Sequence, residues 1–100
     1  MEQLFYRWFN ENKTVLANKG IQTEEIKQSK RNINPSVVAE HTTDLRIGRV
    51  TVWNSGLLDM EILEQSSMET VFYKHLEITD DYLDVEVIIE DYVKELITKN

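Results

Sequence analysis

The sequence predicts an α+β fold, a two-layer sandwich in which an antiparallel meander sheet of four or five strands is covered on one face by an N-terminal and a C-terminal helix. Three observations predict it. Helical hydrophobic spacing is confined to the two ends of the chain, whereas the middle alternates apolar and polar residues. Short turns join the alternating segments, which favours antiparallel neighbours. A length of 100 residues suits a single domain, residues 1–100, with one hydrophobic core.

Residues 2–19 have the spacing of an amphipathic helix, with Asn12 as an interruption. Gly20 follows at the position after a helix end where glycine is common. An aromatic stripe at helical spacing predicts core packing rather than a ligand platform. The stripe consists of Leu4, Phe5, Trp8, Phe9, Val15 and Leu16.

The middle of the chain contains five candidate strands. Residues 21–28 carry little apolar surface and fit an edge strand, and a polar loop over 29–35 follows. The segments that alternate more clearly are 36–42, 47–53, 57–64 and 68–78. Within each strand, alternate residues are predicted to share one face, and these sets are Val37, Ala39 and His41, then Val50 and Val52, then Leu58, Met60 and Ile62, and finally Phe72, Leu76 and Ile78.

A second amphipathic helix is predicted from residue 79 onward. Thr79 or Asp80 can act as its N-cap, and Asp81 suits the positive end of its dipole. Its apolar stripe comprises Tyr82, Val85, Ile88, Ile89, Tyr92, Val93, Leu96 and Ile97. Its polar side carries Asp84, Glu90, Asp91 and Glu95.

With both helices on one face of the sheet, the opposite face is expected to remain open. An antiparallel sheet tolerates water on one face. Aromatic and charged side chains on such a face are typical of an interaction surface. The residues predicted to lie there are Arg49, Thr51, Trp53, Asp59, Glu61, Tyr73 and His75.

Negative charge is concentrated toward the C-terminus. The net charge is −7, but residues 1–56 have 8 basic and 6 acidic groups (+2), whereas residues 57–100 have 3 basic and 12 acidic groups (−9). This balance argues against electrostatic binding of nucleic acid. It is compatible with a solvated surface and also with a surface that meets a basic partner.

The sequence lacks the common catalytic motifs. It has no P-loop, no GxGxxG, no GxSxG and no cysteine, and Ser55 sits in a hairpin turn. A metal site would require His41 and His75 to converge, with Asp59 or Glu61 completing it. Without HxH or HxxxH spacing, both histidines are expected to be ordinary surface or partly buried residues. We therefore expect no enzymatic activity, no cofactor and no metal.

The hydropathy pattern predicts neither a membrane span nor a signal peptide. No segment reaches the roughly 18 apolar residues that a span requires. The N-terminal residues lack a basic region followed by an apolar one. With no cysteines for disulfides, the expectation is a cytoplasmic protein held together by packing.

Residues 48–61, GRVTVWNSGLLDME, form a predicted strand–turn–strand segment. It resembles a segment of small bacterial immunity proteins of the TriTu type. The aromatic-rich start of the first helix and the Asn34-Pro35-Ser36 entry into the next strand are similar as well. The resemblance implies a protein of a polymorphic toxin system that binds and blocks a cognate toxin domain. Gly48 and Gly56 are expected to shape the backbone rather than to contact a toxin.

Two surfaces are candidates for the toxin contact. The first is the open sheet face with its rim at residues 53–56, where Trp53 could be buried or exposed. The second is the polar side of the C-terminal helix, with Asp84, Glu90 and Asp91. No nucleic acid or membrane partner is expected.

Two other functions remain open. One is a small cytoplasmic homodimeric adaptor or structural protein without a toxin partner, joined through exposed sheet edges. The other is a small-molecule enzyme, which would need an enclosed pocket joining His75 and Asp59.

Overall fold

The computed structural model describes residues 1–29, 33–79 and 83–99. Its elements in chain order are α1 (Glu2–Glu11), α2 (Lys13–Asn18), β1 (Gln22–Ser29), β2 (Ser36–Thr42), β3 (Arg46–Trp53), β4 (Leu57–Glu64), β5 (Thr70–Glu77), α3 (Val85–Ile88) and α4 (Glu90–Leu96). The five strands form one open sheet in sequence order, each antiparallel to its neighbour. The predicted α+β meander is confirmed. No helix among the described residues is long and apolar enough to cross a membrane.

The helices at both ends of the chain lie on the same face of the sheet. α1 packs mainly on β2, α2 on β1, and α4 on β3 and β4. Between the two layers lies a core whose fully buried members include Phe5, Phe9, Val50, Met60 and Ile89. The predicted inward side of β2, β3 and β4 is this core side, because its alternate residues are buried.

The N-terminal helix is broken, whereas one continuous helix over residues 2–19 was predicted. Asn12 separates α1 from α2, and both its side-chain amide and its backbone N–H donate to the carbonyl of Trp8, at 2.8 and 3.0 Å. A side chain that bonds the backbone in this way competes with helix continuation. Gly20 ends α2 in a Schellman motif, in which Gly20 and Ile21 donate to the carbonyls of Ala17 and Leu16.

The C-terminal helix begins later than predicted. Thr79 lies before it in an irregular segment, so the prediction of Thr79 as N-cap is wrong, while Asp80, Asp81 and Tyr82 fall outside the described residues. The N-cap is Asp84, whose side chain accepts from the N–H of Glu86 at 3.0 Å. A second break at Ile89 separates α3 from α4.

The delayed helix start follows from the path of the chain after β5. Ile78 still donates its N–H to the carbonyl of Gly56, at 2.8 Å, so the chain stays bound to the β3–β4 turn beyond the end of β5. A side chain at Gly56 would overlap the carbonyl of Ile78, and Gly56 has a φ of +97°. Glycine at this position is therefore required by the turn, as predicted.

Strand β5 is shorter and less buried than predicted. It starts at Thr70, because Met68 adopts a φ of 59° in the turn that precedes it. Phe72 and Leu76 are half-buried on the core side, since β5 is an edge strand that the helices cover incompletely. β1, the opposite edge, is as polar as expected and carries a bulge between Thr23 and Glu25.

A buried polar contact links the C-terminal helix to the centre of the sheet. His41 on β2 is fully buried, which corrects its prediction as a surface or partly buried histidine. Its Nδ1 shares a 2.8 Å hydrogen bond with the hydroxyl of Tyr92 on α4, and its Nε2 has no hydrogen-bond partner among the described residues. Gly48 on β3 lies opposite His41 and leaves the space that the Tyr92 hydroxyl fills.

Arg46 fastens the end of α4 to the start of β3. Its guanidinium is nearly buried, and Nη1 donates to the carbonyl of Glu95 at 2.6 Å and to its carboxylate at 3.2 Å. Nε lies 3.5 Å from the carboxylate of Glu64 on β4. A cation at this end of α4 also suits the negative end of the helix dipole.

Acid should destabilise the fold through His41. Burial lowers the pKa of His41 from 6.5 to about 4. Because the unfolded chain binds this proton more readily, the free energy of unfolding should fall as the pH drops from 6.5 toward 4, by up to about 3 kcal/mol. Urea denaturation at several pH values in this range should show that the free energy of unfolding changes less with pH in His41→Gln than in the wild-type chain. Equal pH dependence in the two proteins would contradict the assignment.

Gly48→Ala should destabilise the fold by overpacking. Its methyl group would overlap the Tyr92 hydroxyl and lie 2.9 Å from Cδ2 of Leu96, a strain that costs about 1–3 kcal/mol. Tyr92→Phe removes the hydroxyl and part of the overlap. In a double-mutant cycle measured by urea denaturation, the double variant should lose less stability than the sum of the single losses. Strict additivity would show that the two positions are not coupled.

Candidate functional site

The face of the sheet opposite the helices carries all seven residues predicted for it. The strand register aligns Thr51, Asp59 and His75 in one row across β3, β4 and β5. It aligns Arg49, Glu61 and Tyr73 in the next. Trp53 lies at the end of β3, beside Ser36. We call this surface, which the described helices leave uncovered, the open face.

The same register adds residues to the open face that the sequence prediction missed. Lys27 and Val38 extend the first row toward β1, and Glu25 and Glu40 extend the second. Glu77 lies on the same side at the end of β5, beside Leu57. Alternation within 36–42 could have placed Glu40 on this side, but only the pairing of the strands shows which side chains are neighbours.

The charges of the open face divide it into two halves. Toward β1, each cation has a carboxylate partner: Lys27 lies 3.4 Å from Glu25, and Arg49 lies 3.3 Å from Glu40. On β4 and β5, the open face carries Asp59, Glu61 and Glu77 without a lysine or arginine. We call this part, which also includes Tyr73 and His75, the acidic half.

Lys74 does not neutralise the acidic half, although it belongs to β5. It is aligned with Met60 on the core side of the sheet, and its ammonium lies 3.4 Å from Asp91 on α4. Lys74 therefore contributes no positive charge to the acidic half, whereas Arg49 on the neighbouring strand β3 lies opposite Glu61.

Asp59 organises the side chains at the centre of the acidic half. Its Oδ1 lies 2.5 Å from Nδ1 of His75 and accepts a 3.3 Å hydrogen bond from the hydroxyl of Tyr73. Partial desolvation and the Asp59 carboxylate raise the pKa of Tyr73 above its ordinary value. Tyr73 is 59% exposed, so its ring presents an aromatic surface held in place by this contact.

The structure separates the two histidines that a metal site would have required. His41 is buried under the helices, whereas His75 lies on the open face, on the other side of the sheet. His75 and Asp59 are half-exposed on this uncovered face. Among the described residues, no group of three or more histidine, aspartate or glutamate side chains is arranged to hold a metal.

The turn at residues 53–56 forms a fixed rim of the open face. Asn34 accepts from the N–H of Ser55 at 2.9 Å and donates to its hydroxyl at 3.2 Å. Asn54 donates its N–H to the carbonyl of Pro35 at 2.7 Å. Trp53 is half-buried, so the structure answers the open question of its burial with an intermediate state.

The second candidate surface lies apart from the open face, on the helix layer. Asp84 is the N-cap of α3, Glu90 lies 3.3 Å from Lys94, and Asp91 lies 3.4 Å from Lys74. All three acids are exposed, but each already has a partner within the chain. The ten predicted contact residues therefore belong to two separate surfaces.

Asp59→Asn should lower the pKa of Tyr73 toward its ordinary value, because the variant removes a nearby negative charge that disfavours the phenolate. Ultraviolet titration of phenolate absorbance measures this change, and Tyr73→Phe assigns the signal. Glu69→Gln, which removes an equal charge from an exposed turn, should leave the titration of Tyr73 unchanged. An unchanged midpoint in Asp59→Asn would contradict the contact.

Comparison with known proteins identifies a family that this chain matches. The model of the family described as "Immunity protein TriTu" matches residues 3–95. No curated protein matches the chain. The match includes the motif at residues 48–61, all five strands and nearly all of α4. The chain therefore belongs to the TriTu family of immunity proteins.

Proposed function

We propose that this chain neutralises a cognate bacterial toxin domain by direct contact in a one-to-one complex, and that the open face is its contact surface. Membership of an immunity family supports a toxin as the partner. Neutralisation of this kind takes place in the cytoplasm of the producing cell. The observation that carries the choice of surface is the acidic half, where carboxylates and an exposed tyrosine lie together on a rigid, uncovered sheet.

Inhibition by contact requires shape and charge, not chemistry. Each strand of the open face is paired along most of its length, so its side chains are held before a partner arrives. A surface that is ordered in advance loses little conformational entropy on binding. Tyrosine is one of the residue types, with tryptophan and arginine, that are enriched among the residues that dominate binding energy at interfaces, and Tyr73 is exposed here.

The charge of the acidic half favours a basic partner surface. Asp59, Glu61 and Glu77 would attract lysine and arginine side chains, which speeds association and disfavours acidic partners. Such a partner surface is typical of domains that act on phosphate groups, because they also need cations to hold their substrates. Blocking that surface would prevent substrate binding.

The acidic side of α3 and α4 is the weaker of the two candidate surfaces. Glu90 and Asp91 are paired with lysines of the same chain, and Asp84 caps a helix. A partner would have to displace these contacts before gaining its own. We therefore place Asp84, Glu90 and Asp91 outside the primary contact.

The direct test is to identify a candidate toxin domain encoded next to the gene for this chain and to use it as the partner. The wild-type chain should protect cells that express the domain, and the purified proteins should form a complex. Failure of both would overturn the proposed function. If the chain instead formed a stable homodimer without binding the domain, the adaptor function would be favoured.

Removing charge from the acidic half should weaken the complex. The double variant Asp59→Asn, Glu61→Gln should raise the dissociation constant at least about tenfold, because it removes two carboxylates from a charged interface. Tyr73→Ala should raise it by about fivefold or more. Calorimetry and stopped-flow measurements at several salt concentrations would show both the loss and a weaker salt dependence of association.

The matched control is Glu69→Gln, which removes an exposed carboxylate from the turn before β5. It should leave the affinity within about twofold of wild type. A complex that forms but tolerates the open-face variants would move the contact to another surface.

A further inference from the structure

We propose that the toxin domain also adds one of its own strands to the sheet of this chain, along the side of β5 that faces away from β4. The inference rests on the proposed function for the identity of the partner. It extends the contact from the side chains of the open face to the backbone of the strand that borders the acidic half.

β5 is one of the two edges of the sheet, because it pairs with β4 alone among the described strands. The register shift in this pairing lies before Phe72, and the pairing is regular from Phe72 to Glu77. Residues 72–77 thus contain neither a bulge nor a proline. A regular edge of this kind is a template that a strand of another chain can join.

The backbone groups of β5 point alternately toward β4 and away from it. The N–H of Ile78 donates to the carbonyl of Gly56 at 2.8 Å, so these two residues form a hydrogen-bonded pair between the strands. Counted from this pair, the even-numbered residues of β5 direct their N–H and C=O groups toward β4. The N–H and C=O groups of Tyr73, His75 and Glu77 therefore point outward, where no described strand pairs with them.

A bond at the other end of β4 gives the same assignment. The N–H of Gln65 donates to the carbonyl of Leu45 at 2.9 Å, so the odd-numbered residues of β4 bond to β3 and the even-numbered ones bond to β5. The even-numbered residues of β4 are aligned with even-numbered residues of β5 along its regular part. The odd-numbered residues of β5 are thus the ones with backbone groups available to a partner.

The side chains of the open face define one side of the strand that fits this edge. Tyr73, His75 and Glu77 would lie next to the added strand, with Asp59 and Glu61 of β4 behind them. Lysine or arginine side chains on this side of the added strand would approach carboxylates and be attracted to them.

The core side of β5 defines the other side of that strand. Phe72 and Leu76 are half-buried there, because the described helices cover β5 incompletely. Lys74, which lies between them, is already paired with Asp91 at 3.4 Å. Apolar side chains of an added strand would complete the cover of Phe72 and Leu76. Since successive residues of a strand point to opposite faces, the strand that fits alternates basic and apolar residues.

The opposite edge, β1, lacks this combination. Its regular part, residues 25–29, carries an ion pair between Lys27 and Glu25 at 3.4 Å and a single apolar side chain, Ile26. Charged side chains along an edge discourage strand pairing, and one apolar residue offers little surface to cover. We therefore assign strand addition to β5.

A second copy of this chain fits the β5 edge less well than a basic strand does. Antiparallel pairing of two β5 strands about a two-fold axis perpendicular to the sheet keeps both open faces on the same side. The two acidic halves would then lie side by side, and the carboxylates of Asp59, Glu61 and Glu77 in both chains would repel one another. A basic strand of the toxin domain would be attracted by the same carboxylates.

Amide hydrogen exchange, followed by nuclear magnetic resonance, tests the proposal in two steps. In the free chain, the outward amides of Tyr73, His75 and Glu77 should exchange faster than the β5 amides that are bonded to β4. In the complex with the candidate toxin domain, exchange of the three outward amides should slow by at least about tenfold. A complex that forms without slower exchange at these amides would overturn strand addition.

A proline variant tests the backbone contact by affinity. His75→Pro removes an outward N–H and places the proline ring where the added strand would lie. The matched variant His75→Ala loses the same imidazole but keeps the N–H. The dissociation constant of His75→Pro for the toxin domain should exceed that of His75→Ala by at least about tenfold.

The control at the other edge is Gln28→Pro on β1, whose N–H points outward by the same alternation. Its affinity should stay within about twofold of the wild-type chain, because no strand is added there. Urea denaturation shows whether each proline variant is folded. If His75→Pro does not fold, the exchange measurement on the wild-type chain decides.

The outcomes separate this inference from the proposed function. Equal affinities of His75→Pro and His75→Ala in an intact complex would overturn strand addition and leave the toxin contact in place. Absence of any complex with the toxin domain would overturn both. Slow exchange of the outward amides in the free chain, with a mass twice the 11.8 kDa of the monomer, would assign the β5 edge to a second copy instead.

Discussion

The structure depends on one constraint, which is that the fully buried apolar side chains of β2, β3 and β4 lie on a single face of the sheet and must be covered there. The helices at both ends of the chain pack on that face. The Tyr92 side chain on α4 forms a hydrogen bond with His41 and fits against Gly48, which has no side chain. Any side chain at Gly48 would overlap the Tyr92 hydroxyl, and loss of the His41 side chain would leave that hydroxyl without its hydrogen-bond partner. Because the described helices all pack on one face of the sheet, they leave the other face uncovered. The surface available for a partner is thus a consequence of how the core is built.

Two polar contacts between the sheet and α4 hold this helix in register with the strands. Arg46 binds the last turn of α4 and approaches Glu64, and Tyr92 shares a hydrogen bond with His41. Buried polar contacts of this kind contribute modestly when formed and cost more when one partner is removed. They therefore favour one docking position of α4 over neighbouring ones. The strands that hold α4 in place also carry the side chains of the open face, so the packing on one side of the sheet helps to fix the position of the other side.

The alternation of apolar and polar residues predicted the sheet well, because neighbouring residues of a strand point to opposite faces. On β4, Leu58 and Met60 are buried on the core side, whereas Asp59 between them lies on the open face. The seven open-face residues followed from this pattern. The helix boundaries could not be predicted as well. The break at Asn12 depends on a side chain that competes for a backbone carbonyl, and the late start at Asp84 depends on where the chain leaves the β3–β4 turn. The burial of His41 could not be predicted, because its hydrogen-bond partner Tyr92 lies 51 positions later in the sequence. The acidic half could not be predicted either, because it depends on which carboxylate pairs with each cation, as Glu40 does with Arg49.

The proposed toxin contact on the open face can be mapped residue by residue. Nuclear magnetic resonance of the labelled chain, with and without the unlabelled toxin domain, tests it most directly through the loss of solvent accessibility measured with a soluble paramagnetic probe. We predict protection of Thr51, Asp59 and Tyr73 in the complex, with the signals of Asp84 and Asp91 on the helix layer still exposed to the probe. Protection centred on α3 and α4, with Tyr73 still accessible, would contradict the claim.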